Sequence, residues 1–194
     1  MNLPDTWTER LPFLEPLEDN WRPVPLAVLL IAGAFYGLFL LQAARGSGPM
    51  LMIDLVFIPI HEGGHLLFRW FGSEFLMVAG GTMLQLAVPL MLGVYFVWQR
   101  QVQGVAFCFF FMFEQSLPIA TYMADARAQE LPLLTVGDGD YVIHDWNYLF
   151  TVLGVIDHDV QIAHAFRVVG WIGMFSVVGW MIFRSLRSGA SEAA

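Results

Sequence analysis

From Val24 to Ala43 the chain carries no charged side chain, a run long enough to cross roughly 30 Å of hydrocarbon as a helix. In lipid every backbone N–H and C=O must find its partner within the protein, so such runs become helices packed side by side. Comparable runs recur at about 50–71, 75–98, 104–124 and 162–183. The expectation is an all-α fold, a polytopic membrane bundle of about five transmembrane helices forming one unit over 24–187. A long polar loop at 125–161 precedes the last helix, and a short tail follows at 188–194. With 57% hydrophobic and 13% charged residues, the chain lies outside the usual range of soluble domains.

Residues 1–23 differ in kind. Pro4, Pro12, Pro16 and Pro23 alternate with Trp7, Phe13 and Trp21 among several carboxylates, a mixture suited to the headgroup level, where Trp rings settle. This segment has neither a basic start nor an apolar core, so a cleaved signal peptide is not expected. The single Cys108 excludes a disulfide framework within the chain. A net charge of −8 with no basic stripe argues against a nucleic-acid partner. Five crossings would put the two termini on opposite sides. Gathering Arg45, Arg100, Arg184 and Arg187 on the inner side gives N-out, C-in for an integral protein of a cell inner membrane.

Within the second run stands Ile58-Pro59-Ile60-His61-Glu62-Gly63-Gly64-His65. Residues i and i+4 of a helix share a face, so His61 and His65 can present two imidazole nitrogens to one metal ion with Glu62 beside them. That is the arrangement of a zinc hydrolase. The alternative is a buried polar cluster whose histidines bond to neighbouring helices. The apolar setting favours the metal, because two imidazoles and a carboxylate in hydrocarbon need partners. Pro59 removes a backbone hydrogen bond one turn upstream and is expected to kink this helix just before His61. Asp54 on the same run is either an accessory proton-relay group or a carboxylate bonded to a neighbour.

Later runs offer further polar groups. Gln85 follows Ala79-Gly80-Gly81-Thr82, small residues that let helices approach closely, and it serves either as interhelical glue or as a hydrogen-bond partner for an extended substrate. Glu114 and Asp125 share a face if their helix continues past Pro118, and one of them can supply the third ligand that a catalytic zinc needs. In the polar loop, His144 and His158 lack a repeated ligand spacing and read as surface residues more readily than as ligands. Gly170, Gly173 and Gly179 suggest close packing of the last helix.

Three stretches together resemble the site-2 protease type of intramembrane zinc metalloprotease (peptidase M50-like), over about Met50 to Arg127. His61-Glu62-Gly63-Gly64-His65 is similar to that family's zinc-binding helix, including Gly before the second His. Ala79 to Gln85 resembles its Gly-x-x-x-Asn region, with Gln85 where Asn is usual. Leu117-Pro118 followed by Asp125 resembles its proline-containing segment, although Ala126 stands where Gly follows the family's aspartate. The resemblance implies Zn2+ held by His61, His65 and Asp125, Glu62 as the catalytic acid–base, and Gln85 as a substrate-binding residue. The substrate would be a transmembrane peptide or protein, locally unwound.

Two rival readings remain. One is a non-catalytic integral membrane subunit or scaffold with a structural or vestigial metal site, bound to a membrane protein partner or to further copies of itself. The other is metal or proton transport along Asp54, Glu114 and Asp125, against which stands the absence of an internal repeat.

Overall fold

A computed structural model of the chain describes Trp21 and residues 23–45, 52–131 and 144–192. These residues form seven α-helices: α1 Leu26–Arg45, α2 Met52–Arg69, α3 Glu74–Trp98, α4 Val102–Glu114, α5 Ser116–Ala124, α6 Asp145–Val152 and α7 Asp159–Glu192, with a 3-10 turn at Ile156–His158 before the last. Among the described residues there is no strand, in keeping with the all-α expectation.

Four stretches are long and apolar enough to cross a bilayer: α1, α3, α4 continued through α5 (Val102–Ala124), and Ile156–Leu186. Their outward faces are apolar, with Leu30, Ile31 and Leu38 of α1 exposed by 64%, 71% and 66%, which suits a surface facing lipid rather than water. The motif helix α2 is not among them. It has 18 residues and carries Asp54, Glu62 and Arg69.

The ends of the bundle also depart from the sequence expectation. The Ser185 hydroxyl donates to the Val24 carbonyl at 3.3 Å, and the Trp21 ring meets Trp180 edge-on at 5.6 Å between centroids. The guanidinium groups of Arg184 and Arg100 lie 5.0 and 5.9 Å from the Trp21 ring centre. The entry to α1 and the exit from α7 therefore share one end of the bundle. An odd number of crossings cannot do this, whereas the four stretches named above can, so the N-out, C-in arrangement does not follow from this geometry. Of the N-terminal segment 1–23, all but Trp21 and Pro23 lies outside the described residues.

Helices α2 and α3 run antiparallel with their backbones touching. A Cβ built on Gly64 would overlap the Gly80 carbonyl, and one on Gly80 would lie 2.7 Å from the Gly64 oxygen. This approach is what the small residues in both motifs permit. α7 packs on α4 and α5 in the same way, with Gly170 and Gly173 receiving Phe113, while Gly179 faces open space. One core cluster gathers Tyr36, Phe110, Phe111, Met174 and Met181; the other gathers Ile119, Met123, Phe150 and Ala163.

Pro59 and Pro89 lie inside helices that continue through them. Pro118 acts differently. It has no N–H to bond to the Glu114 carbonyl and its ring crowds that oxygen, so α4 ends at Glu114 and α5 begins at Ser116, leaving Pro118 in a first turn, where proline is tolerated. The expected polar loop at 125–161 is in its later part ordered helix: α6 buries Asp145, Leu149 and Phe150, and the last helix starts at Asp159, before the expected 162.

Candidate metal centre

At the end of the bundle away from Trp21, three side chains converge. The His61 and His65 Nε2 atoms are 3.0 Å apart, and the Asp145 Oδ2 lies 3.0 Å from the first and 3.4 Å from the second. Among the described residues this is the group able to hold a metal ion. Donor atoms at bond lengths of about 2.0–2.1 Å in tetrahedral directions are separated by roughly 3.3 Å, so the three spacings fit a zinc-sized ion.

The other face of each ring sets which nitrogen is free. The His65 Nδ1–H donates to the Met77 carbonyl at 2.9 Å, and the His61 Nδ1–H donates to the Gln85 Oε1 at 3.0 Å. With both Nδ1 atoms protonated, the neutral rings carry lone pairs on Nε2, and those lone pairs point at each other and at a carboxylate oxygen. Three electron-rich atoms at such distances repel unless a cation lies between them.

Neighbouring helices position each member. Helical spacing stacks His61 above His65 on α2, and the close approach of α3 leaves Gly81 facing both rings. A Cβ there would sit 2.6 Å from each Nε2. Gly81→Ala is therefore expected to retain its helix content by circular dichroism yet lose zinc affinity by at least about tenfold, because the methyl group takes the space beside both donor nitrogens. Asp145 opens α6, and its N–H donates to the Tyr122 hydroxyl at 3.1 Å. Preceding it, His144 caps α6 by accepting the Asn147 N–H on Nδ1 at 3.2 Å.

Asp125 is not in the cluster, contrary to the sequence expectation. Its oxygens accept the backbone N–H groups of Glu130 and Leu131 at 2.9 and 3.1 Å, and its Oδ2 lies 3.3 Å from the His144 Nε2. Burial raises its pKa, but these hydrogen bonds prevail and hold it below the ordinary carboxylate value. Asp125 thus anchors the start of α6, while Asp145, twenty residues on, supplies the oxygen at the imidazoles.

Glu62 is half-buried on α2, near enough to Tyr122 and His65 to act on both electrostatically. Gln85 is buried and bonded to His61 and Gln115. Glu114 is buried and accepts from Gln115. His144 is buried as a helix cap, and His158 is exposed on the 3-10 turn. The Asp54 side chain lies outside the described residues. Asp145, Tyr122 and Gln115 were not singled out from the sequence. The one hint was the His144-Asp145-Trp146-Asn147-Tyr148 knot, where a cap and an acidic first turn announce a helix but not its destination.

No family model, curated protein or solved structure matches the chain. What fold and site define, among the described residues, is a helical bundle with four stretches long and apolar enough to cross a membrane and a His-His-Asp group that could hold a metal ion.

Proposed function

We propose that the chain is a membrane-embedded zinc metallopeptidase of site-2 protease type, with His61, His65 and Asp145 as ligands and Glu62 as the acid–base. The observation that carries this reading is the trio of lone-pair atoms, 3.0–3.4 Å apart, on a His-Glu-x-x-His helix. A zinc ion bound there supplies a water of lowered pKa and polarises the scissile carbonyl. Glu62, next to His61 on the helix, would serve as the acid–base, accepting a proton from the attacking water and returning it to the leaving amine. The Tyr122 hydroxyl, which already accepts the Asp145 N–H, keeps its own proton for an oxygen brought into the site. Gln85 is reassigned from substrate to ligand support. Residence in a cell inner membrane belongs to the same proposal, since outer-membrane spans are β-barrels.

The test uses detergent-purified protein in liposomes with a single-span peptide carrying a fluorophore and a quencher on either side of a helix-breaking Gly-Pro pair. Cleavage is expected to stop when zinc is stripped by a chelator and to return with Zn2+. Cleavage that persists after the metal has been removed would overturn the proposal.

A further inference from the structure

A line of buried polar side chains leads away from the metal centre into the break between α4 and α5. The Gln85 Nε2 donates to the Gln115 Oε1 at 2.6 Å, and the Gln115 Nε2 donates to the Glu114 Oε2 at 2.9 Å. We propose that Glu114, acting through Gln115 and Gln85, fixes the proton of His61 on Nδ1 and thereby holds its Nε2 lone pair toward the ion. These three are positioning residues of the metal centre, and the inference rests on the metal-site reading above.

The direction of the line follows from its far end. As part of this proposal Glu114 is ionised and has no proton to give, so Gln115 turns its NH2 group toward it, the orientation in which the Gln115 Nε2 donates to the Glu114 Oε2. That leaves the Gln115 oxygen for Gln85, which must turn its own NH2 toward Gln115. The Gln85 oxygen is then left for His61, and it can only accept, so the ring must carry its proton on Nδ1. One anion thus sets two amide orientations and one tautomer. Exposures of 8% for Gln85, 1% for Gln115 and 6% for Glu114 leave little room for water to exchange partners along the line.

The same line polarises the ring. In many metal sites a carboxylate bonded directly to the ligating imidazole raises its basicity, and here two amides carry that influence over a longer path. Its placement depends on the helix break: Pro118 ends α4 at Glu114, and Gln115, between the two helices, reaches Gln85 on α3. Replacing Glu114 by Gln puts a donor at the end of the line. Either direction is then available, including the one that protonates His61 on Nε2 and blocks ligation.

The experiment measures Zn2+ affinity of the detergent-purified full chain by chelator competition, together with the visible absorption of the Co2+-loaded protein. Gln85→Leu is expected to bind zinc about 10–100-fold more weakly, and Glu114→Gln about tenfold more weakly, both with displaced cobalt bands. Met181→Ala, which hollows the core near Trp21 at the other end of the bundle, is expected to lower Tm and leave affinity and spectrum unchanged. Should Glu114→Gln fail to fold, Gln115→Met cuts the line at its middle and carries the same expectation. Wild-type affinity and spectrum in the folded relay variants would overturn the relay while leaving the metal site standing. A wild-type chain that binds no zinc would overturn both.

Discussion

Replacing Asp145 by Ala is expected to reduce zinc affinity by at least about a hundredfold, more than loss of a supporting group outside the ligand set usually costs. The Asp145 Oδ2 is the oxygen within 3.4 Å of both ligating nitrogens, so its removal leaves two imidazoles without their anionic partner. Asp125→Asn is the informative contrast. Asp125 holds the Glu130 and Leu131 N–H groups and faces His144, so this variant is expected to keep its zinc and lose about 1–2 kcal/mol of stability. Because the folded-state pKa of Asp125 is depressed, that contribution is complete above the unfolded carboxylate value near pH 4 and fades as pH falls through the folded one. Zinc content by elemental analysis and thermal unfolding at neutral and acid pH check both statements. Zinc lost from Asp125→Asn and kept by Asp145→Ala would restore the assignment that the linear order of motifs suggests.

The second large effect is expected from Glu62→Gln. This change keeps size and helix propensity and leaves His61, His65 and Asp145 untouched, so zinc content should equal that of the wild type while peptide cleavage falls by about 10²–10⁴-fold. The amide can no longer take up a proton and hand it on. Equal cleavage by the two proteins would remove Glu62 from the chemistry. If the wild-type protein binds zinc yet neither form cleaves any peptide, while a membrane partner co-purifies with both, the metal is structural and the chain is a scaffold.

Local sequence determined a good deal. Helices in apolar runs follow from the need to satisfy backbone polar groups without water, and the bounds of α1, α3 and α4–α5 fall within about two residues of the runs that announce them. The pairing of His61 with His65 follows from the helical repeat alone, and the closeness of α2 to α3 from the absence of side chains at Gly64 and Gly80. Only the tertiary structure decided the third donor. Asp125 and Asp145 are both acidic groups after the same apolar stretch, and no periodicity distinguishes them. The choice depends on where α6 docks, which is fixed by contacts far apart in the chain: Asp125 with His144, Tyr122 with the Asp145 N–H, and Asn147 with the Ala126 carbonyl. It likewise brought Val24 to Ser185, putting the entry to α1 and the exit from α7 at one end of the bundle, because a charge tally along a chain does not report which helices lie next to each other.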